Sequence, residues 1–170
     1  MKLYKLTFFI IFFAISIHSN VYSQDREFVT YDMFIKQLSD TPENLGSDRK
    51  MVFKPKEISM MINFKYNSLQ LADQRSERQL LEAARALSSK ALSNIRVEIE
   101  GHTDNVGTQA FNLRLSQKRA DKIKEILCSK YNIPSYRIVS KGYGEIFPIA
   151  SNETPKGQAM NRRVVIKRLK

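Results

Sequence analysis

The 170-residue chain predicts an α/β (α+β) fold, a two-layer βαβα-ββ sandwich in which a mixed four-stranded sheet buries one face beneath two main helices. Three observations carry this expectation. Between Glu57 and Leu69, Ile58, Met60, Ile62 and Phe64 alternate with Ser59, Met61, Asn63 and Lys65, which is the period of a half-buried strand. Next, Leu80, Ala83, Leu87 and Ala91 recur at helical spacing between Asp73 and about Leu92. Finally, this strand-helix unit is repeated and then followed by two further strand-like runs.

The second unit begins with IRVEIEGHTD, where Ile95, Val97 and Ile99 oppose Arg96, Glu98 and Glu100 up to Gly101. A polar loop, HTDNVGT, leads into a helix from about Gln109 to Lys130, with Leu113, Ala120, Ile123 and Leu127 on its apolar side and Asn132 and Pro134 as the stop. Arg137 to Gly142 reads as the third strand, Gly144 to Gly157 as a long polar loop, and Val164 to Leu169 as the fourth strand. Gly101, Gly107, Gly142 and Gly144 read as backbone devices for tight turns or positive φ.

Ahead of this domain, Lys2 and Lys5 precede the run LTFFIIFFAISI, from Leu6 to Ile17, and then HSNVYSQ. Twelve residues of helix cover roughly 18 Å against a hydrocarbon core of ~30 Å, so the segment reads as a secretory signal peptide over residues 1–23 rather than a membrane span. Val21 and Ser23 would occupy the −3 and −1 cleavage positions, making Gln24 the first mature residue. Residues 24–56 form an amino-terminal arm with one short helix in YDMFIKQL, expected to be peripheral to the 57–170 domain. These about 33 residues are too few for the eight or more strands of a membrane barrel.

The chain carries a formal charge of +11, and loss of Lys2 and Lys5 leaves 26 basic against 17 acidic groups, or +9. Such a chain is drawn to polyanions, and export makes nucleic acid an unexpected partner. Cys128 is the only cysteine, which rules out an intramolecular disulfide and a cysteine zinc site. The enzymatic inventory is equally thin: His102 is the only histidine left after signal removal, and no G-x-S-x-G elbow exists. His102 and Asp104 would make a nominal dyad, but a lone histidine beside a strand end reads first as a structural residue. No catalytic residue, metal site or cofactor is therefore expected.

The stretch IEGHTDNVGTQAFNLRLSQKRADKIKEIL, from Ile99 to Leu127, contains GHTDxxG and then N-x-x-LS-x-x-RA, with GYGE and MNRRV downstream. In this order the motifs resemble the OmpA-like carboxy-terminal domain family, the periplasmic module of outer-membrane protein A, the peptidoglycan-associated lipoprotein and MotB. The resemblance covers roughly Ile58 to Lys170 and implies a noncatalytic grip on the peptidoglycan stem peptide, through the ammonium and carboxylate at the free end of meso-diaminopimelate. It assigns the ammonium to Asp104 and the carboxylate to Arg119, whose planar fork donates paired hydrogen bonds that a lysine cannot match. It further implies roles for Asn67 in FKYN and Arg162 in MNRR.

Asn112, Ser116 and Arg119 fall at spacings of four and three, so they are expected to form one polar stripe facing the ligand. Taken singly, Asp104 reads as well as a turn cap, Arg119 as a solvated helix charge and Asn112 as a helix-terminal hydrogen bonder. Lys65 and Val106 depart from the residues usual in the family at those positions. The expected location is the periplasm, in association with the outer membrane. An alternative is an envelope interaction module that docks a protein partner through the arm; a third reading, a wall-degrading enzyme, would release soluble fragments from sacculi.

Overall fold

The structure, a computed structural model, describes residues 28–39, 56–65 and 68–169. The signal segment and Asn67 lie outside the described residues. The elements are α1 (Tyr31–Leu38), β1 (Glu57–Met60), α2 (Gln74–Ser88), β2 (Arg96–His102), α3 (Gln109–Ser129), β3 (Ile138–Gly144), α4 (Pro155–Asn161) and β4 (Val164–Leu169), with 3-10 turns at Lys90–Leu92 and Ser135–Arg137. The strands form one mixed sheet in the order β1-β4-β2-β3. β4 runs antiparallel to both β1 and β2, and β2 runs parallel to β3.

Register places the greasy residues of neighbouring strands side by side, with Ile58 and Ile99 both opposite Ile166 and Val97 opposite Ile138. This row is buried with Leu80, Ala83, Ala84 and Leu87 of α2 and Ala120, Ile123 and Leu127 of α3. Asp73 starts α2 by accepting the Ser76 amide at 2.7 Å, which accounts for the helix beginning where the alternation ends. Cys128 packs against the same core, partly buried.

Four expectations need correction. The arm is not peripheral: Phe34 and Leu38 of α1 are fully buried in the core, and α1 packs on α2 and β1. Gln79 holds the chain just ahead of α1 by a two-way bond, accepting the Val29 N–H at 2.9 Å and donating to the Val29 carbonyl at 2.7 Å. The first strand ends at Met60, and among the described residues after it an isolated antiparallel bridge joins Phe64 to Leu71. The polar loop after β3 contains α4, because Pro155 sits at a helix start that Thr154 caps by accepting the Gly157 amide at 3.1 Å. Finally, Gly101 and Gly142 serve close approach rather than positive φ. A Cβ at Gly101 would strike the Ser116 carbonyl, and one at Gly142 would strike the Gln117 amide.

That approach closes the sheet edge as well. β3 is an edge strand, and Gln117 Oε1 accepts the Gly142 N–H at 2.8 Å while Ser116 Oγ accepts the Gly144 N–H at 2.8 Å. At the other end of the parallel pair, buried Arg137 gathers the chain after α2, donating from Nε to the Ile95 carbonyl at 3.0 Å and from Nη1 and Nη2 to Leu87 and Leu92 at 3.0 and 2.5 Å. Burial pushes its pKa down, and only neighbouring Tyr136 opposes this.

On the sheet face turned away from α3, Glu100 lies 3.5 Å from His102 Nε2 and 3.4 Å from Lys167 Nζ. Burial works to raise its pKa, but the adjacent His102 imidazole and the Lys167 charge outweigh it and hold the carboxyl below its usual value.

Two consequences are testable. Arg137→Met should lower the unfolding free energy by about 3 kcal/mol, because the Leu87, Leu92 and Ile95 carbonyls each lose a guanidinium donor and only Leu92 keeps another, the Ile95 N–H; the loss should read as a lower urea midpoint at unchanged slope. A carboxyl whose folded pKa is depressed stabilises the protein above its unfolded pKa, and this is lost as pH falls through the folded value. Glu100→Gln should therefore be destabilised relative to the parent at neutral pH, with the gap closing below about pH 4.5 in a series of pH-dependent melts.

Candidate functional site

A cleft of about 380 Å³ opens between the start of α3, the segment after β1 and the end of α4. Its walls include Phe64, Phe111, Leu115, Arg119 and Arg162, over a floor that includes Gly101 and Val164. The floor is tight because α3 lies directly on β2 there, and its cationic walls come from two separate elements.

Arg162 reaches the cleft as the C-cap residue of α4. The preceding Asn161 is fully buried and fixes that helix end. Its Oδ1 accepts the Ile149 and Ala150 amides at 2.8 and 3.1 Å, and its Nδ2 donates to the Ala150 carbonyl and Asn152 Oδ1 at 2.9 and 2.8 Å. Arg162 Nη1 then donates to Asp104 Oδ2 at 2.6 Å. Arg163 also borders the cleft but is buried, donating to the Phe147 carbonyl at 3.1 Å, with burial pushing its pKa down. The successive residues of MNRRV thus staple a loop, enter the cleft and anchor the sheet.

Asp104 is held as a turn residue and an ion-pair partner at once, since Oδ1 accepts the Val106 amide at 3.2 Å. Its side chain is only 11% exposed, so it lies behind Arg162 rather than open on the cleft wall. Arg119 enters from α3 with its guanidinium 5.2 Å over the Phe64 ring, and its Nε is buried without a hydrogen-bond partner. Burial lowers its pKa most, the nearby Arg162 charge lowers it further, and Asp104 pulls it back up. Asp104, Arg119 and Arg162 therefore share one electrostatic environment, with two guanidinium groups and one carboxylate.

The expected polar stripe is different in kind. Asn112 and Ser116 are buried and begin the same helix face that continues through Ala120, Ile123 and Leu127. Asn112 Nδ2 donates to the Asp104 carbonyl at 3.3 Å and to Glu145 Oε2 at 2.6 Å, so it ties the loop carrying Asp104 to the end of β3. Ser116 Oγ donates to the Leu113 carbonyl at 2.9 Å in addition to accepting from Gly144. Leu113, expected in the core, is instead exposed beside Ile146, because these polar residues take the buried face. Only Arg119 of the three lines the cleft.

His102 does not bond to Asp104. Its ring stacks on Tyr143 at 5.6 Å, and Tyr143 donates its hydroxyl to Glu98 at 3.0 Å. Phe64, Phe111 and Leu115 were missed as site residues. Phe64 continued a core-like alternation, and the position of Phe111 next to the Asn112 motif was the available signal. Among the described residues, no group of His, Cys, Asp and Glu is suited to hold a metal ion, and no helix is long and apolar enough to cross a membrane.

Asn112→Leu should remove the donor shared by the Asp104 carbonyl and Glu145. A loss of about 1 to 3 kcal/mol is expected in denaturant unfolding, with faster amide exchange in the 103–107 loop.

The chain is 47% identical over 66 residues to outer membrane porin F of Pseudomonas aeruginosa, 39% of this chain and 19% of that protein. It is 43% identical over 77 residues to the peptidoglycan-binding protein ArfA of Mycobacterium bovis, 45% of this chain and 23% of that protein. This chain therefore spans only about a fifth of the length of either relative. The crystal structure of the peptidoglycan-associated lipoprotein from Burkholderia pseudomallei superposes with a TM-score of 0.55 at 28% identity, covering 65% of this chain and 89% of that one. The OmpA family model matches residues 63–162, which contain Arg119, Arg162, Asp104 and every element from α2 to α4; the chain belongs to the OmpA family.

Proposed function

We propose that this protein is a noncatalytic binder of peptidoglycan in the bacterial cell envelope, exported to the periplasm by residues 1–23, and that it grips the diaminopimelate end of the stem peptide. The observation that carries the reading is the meeting of Arg119, with an unpartnered buried Nε, and the Arg162–Asp104 pair at one cleft. A stem-peptide end bearing one ammonium and one carboxylate has the complementary pair of charges. Its carboxylate would take the free donors of Arg119, and its ammonium would share or displace Arg162 at Asp104.

The relative named for peptidoglycan binding and the solved peptidoglycan-associated lipoprotein support the wall as partner. A noncatalytic role is consistent with His102, which borders the cleft but stacks its ring on Tyr143, keeps Nε2 3.5 Å from Glu100 Oε2 and makes no hydrogen bond to Asp104. The positive charge of the chain favours encounter with an anionic wall.

Titration with meso-diaminopimelate tests the reading. The parent should bind, and Asp104→Ala and Arg119→Ala should each weaken binding by about 10- to 150-fold, the equivalent of one charge-assisted hydrogen bond. Both variants should still unfold in one cooperative transition, Asp104→Ala at a lower midpoint because it loses the Val106 turn bond and the Arg162 pair, so affinities are compared on folded protein. A folded parent that fails to bind refutes the diaminopimelate site, and release of soluble fragments from purified sacculi refutes the noncatalytic role.

A further inference from the structure

We infer that Phe64 is the positioning residue for Arg119, holding the guanidinium by its ring face so that the in-plane N–H groups stay open for a ligand carboxylate. This rests on the peptidoglycan-stem reading of the cleft and deepens it. The bonding of Arg119 has a gap. A long side chain with a buried Nε and no hydrogen-bond partner has nothing polar to fix its rotamers, yet its guanidinium carbon lies 5.2 Å from the centroid of the Phe64 ring. At that distance the negative face of the ring attracts the cation, and the attraction grows as water is excluded.

The ring is a rigid support. On one side of Phe64, Asn63 accepts the Ala72 amide at 2.8 Å; on the other, Lys65 donates to the Gln70 carbonyl at 2.9 Å; and Phe64 itself bridges to Leu71. Asn63 is tied in turn to the start of α2, its amide donating to Ser76 Oγ at 2.9 Å and its Nδ2 to Asp73 at 3.0 Å. The base of the cleft wall is thus locked to a helix terminus, and Phe64 carries that rigidity to Arg119.

The choice of an aromatic partner has a chemical consequence. A carboxylate beside Arg119 would orient it equally well but would occupy the fork that a ligand needs. An aromatic face attracts the cation while leaving the in-plane donors available. Burial and the Arg162 charge both disfavour the Arg119 cation, and the ring offsets part of that penalty before any ligand arrives.

The test combines ligand binding with a measurement on the ligand-free protein. Phe64→Leu should weaken meso-diaminopimelate binding about five- to tenfold, while Phe64→Tyr, which keeps the ring, should bind like the parent. The Nα-acetyl amide of lysine, which keeps the distal ammonium and lacks the distal carboxylate, should bind Phe64→Leu and the parent alike. In the ligand-free protein, the Arg119 Nε–H resonance should show a ring-current shift that disappears in Phe64→Leu and persists in Phe64→Tyr. An Arg119 resonance unmoved by Phe64→Leu overturns the inference, as does an equal loss of affinity for both ligands. Failure of the parent to bind meso-diaminopimelate would sink the stem reading alone, with the resonance still deciding the role of Phe64.

Discussion

The approach of α3 to the β2–β3 pair is possible only because Gly101 and Gly142 present no Cβ to the Ser116 and Gln117 backbone, and the site is built on that contact. A helix normally lies on a sheet at a distance set by its side chains. Here the backbones nearly touch, so Ser116 and Gln117 reach the unpaired N–H groups of the edge strand directly. The first turns of α3 are thereby fixed against the end of β3, with Asn112 joining Asp104 to Glu145 across the gap. Arg119 lies one residue before Ala120, which is itself fully buried in the core.

Charge at the cleft follows from this geometry. α4 brings Arg162 to Asp104 through the Asn161 staple, while α3 brings Arg119 to the same cleft. Two guanidinium groups around one carboxylate leave the cleft short of negative charge, which a bound carboxylate would supply. The Asp104–Arg162 pair also means that the site without ligand is closed on itself at one end and open at the other. On the proposed reading, a ligand ammonium at Asp104 would meet an engaged carboxylate, whereas a ligand carboxylate at Arg119 would meet a guanidinium whose Nε is already buried. Because desolvation has been met during folding at the second end, the carboxylate contact is the stronger candidate for directing orientation.

Much of this was legible in the sequence because alternation and helical spacing report burial directly. β2, α3 and β4 fall within a residue or two of their expected limits, and the meeting of Asp104, Arg119 and Arg162 follows the motifs that suggested it. What escaped is whatever depends on long-range partners. Asn112 and Ser116 looked like a ligand face since polar residues on one helical stripe ordinarily meet water; only the β3 edge, some thirty residues away, makes them interior. α4 escaped because Pro155 marks a helix start as readily as a loop, and the deciding feature is the Thr154 cap. Arg137 carried no periodic signal, its role being set by carbonyls at Leu87, Leu92 and Ile95.

The burial of α1 bears on whether the arm could serve as a docking segment. The apolar spacing of YDMFIKQL that suggested a partner is met inside the protein, where Phe34 and Leu38 are fully covered. The chain entering the helix is held as firmly, with Val29 bonded both ways to Gln79 and the Tyr31 amide donating to Glu82 at 2.8 Å. Arg85 lies 5.6 Å over the Tyr31 ring and covers the junction. A partner using the buried side of α1 would have to extract two core side chains, at a cost of several kcal/mol. A surface contact would have to use the solvent side, where Met33 is the large exposed apolar residue. One exposed methionine on an eight-residue helix is a small anchor for a stable interface, so the physical weight of α1 falls on completing the core that carries the cleft.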